Sequence, residues 1–231
     1  MTRPRVICHM VASVDGRIVP SGWPVVDVVR ELYEQVHTKY DADGWICGRV
    51  TMEPFAKKLR RDAEVNREHL GDPREDFVAP GPHESYAFAV DASGRLAWES
   101  SDIDGDHVVA LLSERVSNEY LAFLRERGVS YVLAGAREVD LALALEKVST
   151  LFAVTTLMLE GGGRINGGFL SAGLIDEVSL LLAPIADGRV GTPALFDVGG
   201  GDVSPRRLAL EAVERLADDM LWLRYRVEDA R

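Results

Sequence analysis

The sequence predicts an α/β fold built on a mixed, mainly parallel β-sheet, and three observations lead to this prediction. Short apolar runs that suit buried strands alternate along the chain with segments of helical spacing. Glycine-containing turns directly follow several of these runs, as happens where a strand leads into a helix. The last two apolar runs are separated only by Ala217-Asp218-Asp219, which predicts a C-terminal antiparallel hairpin on the sheet.

The individual elements follow from spacing and turn residues. Residues 5–12 form an apolar first strand, and Ser13–Gly16 form a turn. Residues 27–40 have apolar residues at helical spacing, with Asp27 placed to cap the helix or to enter its first turn. The other predicted elements are strands over 17–19, 44–47, 86–90, 107–112, 129–134, 157–160 and 178–184, helices over 49–59, 117–127, 140–148 and 166–172, and hairpin strands over 208–216 and 220–227.

Composition narrows the class of protein. The 231 residues are 47% hydrophobic and 27% charged, which is typical of a soluble globular protein with a full core. No linker or repeat divides the chain, so a single domain over residues 1–231 is predicted, with a polar excursion over 57–84. The net charge of −11 argues against a nucleic-acid partner, because phosphate-backbone binding requires clustered Lys and Arg.

The cysteines and termini suggest where the protein functions. Cys8 and Cys47 both lie in apolar runs, which predicts buried free thiols and a cytoplasmic protein. Neither a CxxC pair nor a histidine cluster is present, so no metal site is predicted. The sequence has no signal-peptide pattern and no apolar run long enough to span a membrane, so no membrane partner is expected.

The glycine triplet after the 157–160 strand is the main candidate for chemistry. The apolar run ends at Glu160, and Gly161-Gly162-Gly163 lead into a short helical segment. Such a turn lets a phosphate approach the backbone and the unpaired N–H groups of a helix start. Glu160 would then lie beside the ligand. The alternative is a tight turn whose glycines serve only helix packing.

Two other strand ends carry groups that suit an anion. Gly48-Arg49-Val50-Thr51 combines a free backbone, a fixed cation and a hydroxyl at a helix start. Ser113 and Arg115 follow a third strand and could reach a phosphate. The alternatives are that Arg49 is a surface charge, that Thr51 is a helix cap, and that Ser113 and Arg115 begin an ordinary loop.

Several motifs together resemble those of a known family, the dihydrofolate-reductase-like superfamily. Within it, the chain most resembles the reductase domain of bacterial and archaeal riboflavin biosynthesis, which acts on a pyrimidine. The motifs that carry the resemblance are Met10–Ile18 with its Ser-Val-Asp-Gly-Arg-Ile, Asp41–Thr51, Leu159–Gly163 with Asn166-Gly167, Gly173–Glu177, and Leu182–Ile185.

This resemblance implies a three-layer α/β/α fold, NADPH as hydride donor, a small heterocyclic substrate and a homodimer. It implies that Glu160 faces the substrate. The implied cofactor residues are Ala12, Asp15 and Gly16 beside the nicotinamide, Gly161, Gly162 and Gly163 along the pyrophosphate with Arg164 and Ile165 after them, Gly48, Arg49 and Thr51 at the nucleotide, and Ser113 and Arg115 near the 2′-phosphate.

The sequence departs from this family at two substrate-side positions. His9 stands where these reductases carry a lysine, and Met52-Glu53-Pro54-Phe55 replaces an Asp-Asn-Pro. His9 could donate a proton, because an ordinary histidine has a pKa near neutrality, or it could be a hydrogen-bonded core residue.

Dihydrofolate reductase itself offers an alternative pattern, since Trp23, Asp27 and Gly48-Arg49-Val50-Thr51 follow its order. Asp27 would then bind a pterin-like ring, and Trp23 would stack on that ring or pack on the core. The preferred hypothesis is an NADPH-dependent reductase that uses Glu160, Asp27 and His9. The alternatives are a pterin reductase and a non-catalytic nucleotide-binding homologue.

Overall fold

The computed structural model describes residues 3–58, 71, 73–199 and 204–228. The described α-helices are α1 (Val26–His37), α2 (Arg49–Met52), α3 (Asn118–Glu126), α4 (Leu141–Phe152) and α5 (Gly163–Ser171). The described strands are β1 (Arg5–Ala12), β2 (Gly44–Gly48), β3 (Lys57–Lys58), β4 (Tyr86–Val90), β5 (Leu96–Ala97), β6 (Asp102–Ile103), β7 (Asp106–Leu112), β8 (Ser130–Leu133), β9 (Thr156–Leu159), β10 (Glu177–Leu182), β11 (Leu208–Arg215) and β12 (Leu221–Val227).

The chain forms two compact units. Unit 1 consists of Met1–Pro4 and Asp43–Thr155, and unit 2 consists of Arg5–Ala42 and Thr156–Arg231. Each unit contains its own strands, helices and buried cluster. The single domain over residues 1–231 stays a prediction.

In unit 2 the strand order is β11-β12-β10-β1-β9. Strand β1 runs parallel to both of its neighbours, so that Cys8 lies opposite Val178 on one side and Leu159 on the other. Seven of its eight residues are buried, as expected for a strand between two parallel partners. The β11–β12 hairpin joins β10 in antiparallel orientation. The predicted fold class, a mainly parallel sheet with a C-terminal antiparallel hairpin, is confirmed.

Helix α1 packs against the unit 2 sheet through one apolar face. Val29, Leu32 and Val36 are its buried residues, at the spacing that brings side chains to one side of a helix. They belong to a cluster with Trp23 and Trp222, and full burial of each such aliphatic side chain stabilises the fold by roughly 1.5 to 3 kcal/mol. The helix continues into a short 3₁₀ turn, after which Asp41 adopts a left-handed conformation that stops it. His37 therefore lies at the carboxyl end of α1.

In unit 1, strands β2, β4, β7 and β8 pair in parallel, and β6 pairs with β7 in antiparallel orientation. Gly44 is required where β2 meets β4, because a Cβ there would lie 2.3 Å from the Tyr86 carbonyl oxygen. The helices begin at the polar residues that the sequence offers. Ser117 accepts a hydrogen bond at the start of α3, and Asp140 does so at the start of α4.

Three predicted elements differ from the structure. The helix predicted over 49–59 ends at Met52, where the chain turns through Pro54. The helix predicted to begin at Asn166 begins at Gly163, and the strand predicted over 17–19 is a single bridge from Arg17 to Ala194. Residues 59–70 and 72 of the predicted excursion lie outside the described residues. Within the parts of the chain that are described, no helix is long and apolar enough to cross a membrane.

Candidate active site

The carboxyl ends of three parallel strands define one edge of the unit 2 sheet. Ala12 ends β1, Glu160 directly follows β9, and Ala183 directly follows β10. Ligands of α/β sheets bind at such edges, because loops there leave room between neighbouring strands. Ala12 and the glycines after Glu160 bring little side-chain bulk to this edge. The edge is therefore the candidate site of unit 2.

The turn after Glu160 takes a conformation that requires glycine at its first position. Gly161 has φ +94°, and a Cβ there would lie 3.0 Å from Met10 Cε. The Gly161–Gly162 peptide bond is cis. Gly162 is the N-cap of α5 and is half-buried. On the first turn of this helix Arg164 is exposed and Ile165 is half-buried. Contact of these residues with a phosphate stays a prediction.

Gly163 has a different and purely internal reason to be glycine. A Cβ on Gly163 would lie 2.2 Å from the Ala194 carbonyl oxygen and 2.9 Å from Asp197 Oδ2. The 194–197 segment is fixed on α5 by hydrogen bonds from Asp197 N to Gly163 O (2.9 Å) and from Asn166 Nδ2 to Leu195 O (3.0 Å). At this position, helix packing, the alternative considered for the glycine turn, therefore accounts for the residue.

Glu160 is partly enclosed beside a histidine that the sequence did not single out. Its Oε1 lies 3.9 Å from His37 Nε2, and its side chain is 15% exposed against 27% for His37. The carboxylate also acts on Cys8, where burial first and the charge of Glu160 second raise the pKa of the thiol. Glu160 is thus a charged group at the predicted ligand edge.

His9 lies in the core of unit 2, with both ring nitrogens hydrogen bonded. Nε2 lies 3.2 Å from the Tyr33 carbonyl, which can only accept, so this nitrogen carries the proton. Nδ1 then accepts from Ser179 Oγ at 3.0 Å, while that oxygen accepts from the Trp222 indole at 2.8 Å. Burial lowers the pKa of His9 to about 4. The prediction that His9 has a pKa near neutrality is therefore wrong, and the alternative, a hydrogen-bonded core residue, describes its surroundings.

The buried neutral His9 should make unit 2 sensitive to acid. Its folded pKa lies below the unfolded value of 6.5, so the unfolded chain binds the additional proton and stability falls as pH drops from about 6.5 toward 4. Between pH 7.5 and pH 5 this group should remove about 2 kcal/mol from the free energy of unfolding. Urea unfolding at both pH values should show a smaller loss in His9→Gln than in the wild type.

His107→Gln in unit 1 provides a parallel test, because burial also lowers the pKa of His107 to about 4. Each variant should flatten part of the pH dependence, and the double variant should flatten more than either. A His9→Gln curve parallel to that of the wild type would contradict the assigned neutral state.

Asp15 connects two loops at the candidate edge: the β1 loop (residues 13–16) and the β10 loop (residues 183–192). Its carboxylate accepts from the Ser13 hydroxyl at 2.7 Å and from the backbone N–H groups of Asp187 and Gly188 at 2.9 Å each. These bonds, that of Ser13 foremost, lower the pKa of Asp15 to about 2. Asp15 is therefore a structural carboxylate of this edge, and contact of Asp15 or Gly16 with a cofactor stays a prediction.

Trp23 also belongs to this connection. It is buried, and its indole N–H donates to Asp187 Oδ2 at 2.7 Å. Arg189 donates to Asp187 Oδ1 at 2.6 Å and to the Val19 carbonyl at 2.6 Å. The hydrogen bonds of Arg189 and Trp23 lower the pKa of Asp187. Of the two roles left open for Trp23, packing on the core is the one observed.

Asp27 lies on the exposed surface of α1. It is in the first turn of the helix, and the N-cap position is Val25, which makes no side-chain cap. Of the two placements predicted from the sequence, the first turn is correct and the cap is wrong. A carboxylate there stabilises a helix through its dipole by about 0.3 to 1 kcal/mol.

The remaining predicted cofactor residues lie in unit 1. Gly48 is the N-cap of the single-turn helix α2, where Thr51 is half-buried and Arg49 forms an ion pair with Glu53. At the end of β7, Ser113 is buried, and its hydroxyl donates to the Ala92 carbonyl at 2.5 Å. This hydroxyl is thus used within the protein.

Arg115, the other residue predicted at the end of β7, forms only a weak ion pair within the protein. Its Nη2 lies 4.0 Å from Glu138 Oε1, and both side chains are largely exposed, at 44% and 81%. An exposed ion pair of this kind contributes at most about 1 kcal/mol and can be exchanged for another partner. The role of Arg115 toward a phosphate stays a prediction.

Four residues of unit 2 that shape this edge were missed from the sequence: His37, Asp187, Arg189 and Asp197. His37 could have been noticed from the sequence, because it is a titratable side chain in the last turn of an amphipathic helix, where the helix dipole favours a cation. The other three contact this edge chiefly through partners far away in sequence, namely Trp23 for Asp187, the Val19 carbonyl for Arg189 and the Gly163 carbonyl for Asp197. No local spacing could have indicated those long-range contacts.

The fold and the site together define a class of protein: an α/β protein with a polar ligand edge at the carboxyl ends of its parallel strands. Residues 4–222 match the family model of the RibD C-terminal domain, and the chain belongs to this family. The predicted resemblance to the riboflavin-biosynthesis reductases is thereby confirmed.

Named relatives lie in the same family. A 2,5-diamino-6-ribosylamino-4(3H)-pyrimidinone 5′-phosphate reductase of Methanothermobacter thermautotrophicus is 38% identical over 225 residues, which covers 95% of this chain and 96% of the relative. The reductase of the same name from Archaeoglobus fulgidus is 22% identical over 219 residues, covering 94% and 95%. A solved pyrimidine reductase-like protein of Corynebacterium diphtheriae shares the fold, with a TM-score of 0.68, 20% identity and coverage of 98% and 93%.

Proposed function

We propose that this protein is a nicotinamide-dependent reductase of a ribosylamino-pyrimidinone 5′-phosphate. The observation that carries the proposal is the 38% identity, over almost the whole of both chains, to a reductase named for that substrate. The Glu160 carboxylate at the ligand edge of unit 2 adds a polar group where such a substrate would need one. The net charge of −11 does not argue against this function, because glycine turns, helix starts and single arginines can bind a phosphate locally.

The substrate class defines what the protein must supply. The ribosylamino carbon is at the oxidation level of an aldehyde, and opening of the ribose ring gives an imine at that carbon. A nicotinamide cofactor supplies hydride to the imine carbon when bound. The imine nitrogen gains one proton as it becomes an amine. This chain must therefore orient the open sugar, exclude water and deliver one proton, and we assign proton delivery to Glu160.

The residues at the unit 2 edge fit a dinucleotide because they offer small side chains and a helix start there. Ala12 at the end of β1 and Gly161 just beyond β9 are buried, small residues, and Gly162 is the N-cap of the nine-residue helix α5. Backbone N–H groups at such a helix start suit a pyrophosphate. We assign Gly161, Gly162, Arg164 and Ile165 to this role. The resemblance assigns Gly48, Arg49, Thr51, Ser113 and Arg115 to the nucleotide and favours NADPH over NADH.

A binding and turnover experiment tests the proposal. The purified chain is titrated with NADPH and with NADH while nicotinamide fluorescence is followed, and the pyrimidinone phosphate is then added. We expect oxidation of the cofactor with stoichiometric formation of a ribitylamino product, and tighter binding of NADPH. No binding of either cofactor at millimolar concentration would refute the proposal.

The same experiment separates the two alternatives. A pterin reductase would oxidise NADPH with dihydrofolate and not with the pyrimidinone. A non-catalytic homologue, which His9 and the Met52-Glu53-Pro54 replacement suggest, would bind the cofactor without turnover of either compound.

We also propose that the protein is a cytoplasmic homodimer. Its two described cysteines are buried free thiols, as in a reducing compartment. Leu210 and Val213 on β11, the terminal strand in the unit 2 order, are 56% and 54% exposed, which suits a covered face. Sedimentation should give twice 25.4 kDa for the wild type, and Leu210→Lys with Val213→Lys should shift it toward the monomer.

A further inference from the structure

His37 lies near two other polar side chains of unit 2, the buried His9 and Glu160 at the ligand edge. The His9 and His37 rings are stacked with their centroids 6.3 Å apart and an interplanar angle of 23°. His37 Nε2 in turn lies 3.9 Å from Glu160 Oε1. The strand β1, the last turn of α1 and the end of β9 each supply one member.

The surroundings determine which of these groups can change charge near neutral pH. Burial lowers the pKa of His9 to about 4, with His37 contributing in the same direction, so His9 stays neutral. Burial raises the pKa of Cys8 and of Tyr40, which keeps both neutral as well. The Tyr33 hydroxyl donates to the His9 carbonyl at 3.0 Å. The cations Lys39 and Arg224 lie over the Trp222 ring at 4.7 and 4.9 Å.

His37 is placed differently from these groups. Its side chain is 27% exposed, so its ring can exchange protons with solvent, and the Glu160 carboxylate beside it favours the imidazolium form. It also lies in the last turn of α1, where the helix dipole favours a cation. The separation of 3.9 Å is that of an ion pair, and one water or a small side-chain rotation would complete a proton path.

We infer that His37 is the residue that reprotonates Glu160 during turnover, so that the two form a proton relay from solvent to substrate. The inference rests on the proposed function for its substrate. In the relay a proton passes from His37 Nε2 to Glu160 Oε1 and from Glu160 to the imine nitrogen. His37 then takes up one proton from solvent, so each hydride transferred is matched by one proton. His37 acts through Glu160 and is a positioning residue.

Kinetics of His37→Gln provide the first test. A relay requires protonated His37, so kcat of the wild type should fall as pH rises through the titration of that group. In His37→Gln, kcat at pH 7 should fall by about 10 to 100-fold and lose this dependence on pH, with KM for the cofactor unchanged. Glu31→Gln is the matched control, because Glu31 is exposed on the same helix and contacts Gln35.

A titration without substrate provides the second test. Imidazole NMR signals followed over pH 5 to 9 should give a lower midpoint for His37 in Glu160→Gln than in the wild type, because the variant lacks the neighbouring carboxylate. Glu31→Gln is again the control, and the His37 midpoint should stay close to that of the wild type in this variant.

The outcomes separate the relay from the function on which it rests. A wild-type kcat profile retained by His37→Gln, or a His37 midpoint unchanged in Glu160→Gln, would overturn the relay. Turnover of the pyrimidinone by the wild type together with loss of the pH dependence in the variant supports it. If the wild type binds NADPH and turns over no pyrimidinone, the proposed function fails, and the NMR titration still decides whether His37 and Glu160 are coupled.

Discussion

Glu160→Gln should lower kcat for the pyrimidinone phosphate by about 10² to 10⁴-fold, which is the range for loss of a positioned proton donor. Glutamine preserves the size and polarity of the side chain and removes the ability to carry a proton. The residue is only 15% exposed beside His37, so bulk water cannot fully replace it. Cofactor binding should change by less than about threefold, because the lost interaction is made with the reacting substrate. Stopped-flow measurement of NADPH oxidation checks kcat directly.

Two variants make this result specific to Glu160. Glu31→Gln removes an exposed carboxylate of α1 and should leave kcat unchanged. Asp27→Asn distinguishes the pyrimidine reductase from the dihydrofolate-reductase pattern, since that pattern uses Asp27 to bind the ring. A large loss in Asp27→Asn with full activity in Glu160→Gln would assign the chemistry to Asp27 and refute the role of Glu160.

The fold was largely predictable because burial and backbone geometry determine residue types at nearby positions of the sequence. The almost uninterrupted apolar run at residues 5–12 indicated a strand flanked by parallel neighbours, and β1 is buried between β10 and β9. The polar residues at Ser117 and Asp140 marked the starts of α3 and α4. Element ends were less predictable at Met52, where a proline near a first turn allows the helix either to continue or to end.

The candidate site was only partly predictable, and the reason is physical. Glu160 could be found because it ends an apolar run, and strand ends point to the ligand edge. Whether His9 titrates near neutrality depends on burial and on Ser179, which is 170 residues away. Apart from the Ser13 hydroxyl, the partners of Asp15 are backbone N–H groups of Asp187 and Gly188, which any residue could provide. Contacts of this kind leave no residue type or spacing to detect.

Gly163→Ala should produce the largest loss of stability among the single substitutions considered. The added Cβ would lie 2.2 Å from the Ala194 carbonyl oxygen, a backbone atom that cannot rotate away. Relief requires the 194–197 segment to leave α5, with loss of the Asp197 N to Gly163 O and Asn166 Nδ2 to Leu195 O hydrogen bonds. Overpacking against backbone should cost about 3 kcal/mol, the upper end of the usual range, less the gain of up to about 1 kcal/mol from a better helix former than glycine.

Urea unfolding and thermal melting measure this effect, with Tm expected to fall by roughly 5 to 10 °C. Gly199→Ala is the matched control, because Gly199 is exposed with no atom within 4 Å of its added Cβ, and its stability should stay close to that of the wild type. Gly167→Ala, whose Cβ would lie 2.5 Å from the Asp197 carbonyl oxygen, should repeat the loss through the same segment. If Gly163→Ala and Gly167→Ala both have the Tm of the wild type, the 194–197 segment does not pack on α5. The glycines of this turn would then be explained by the approach of a ligand alone.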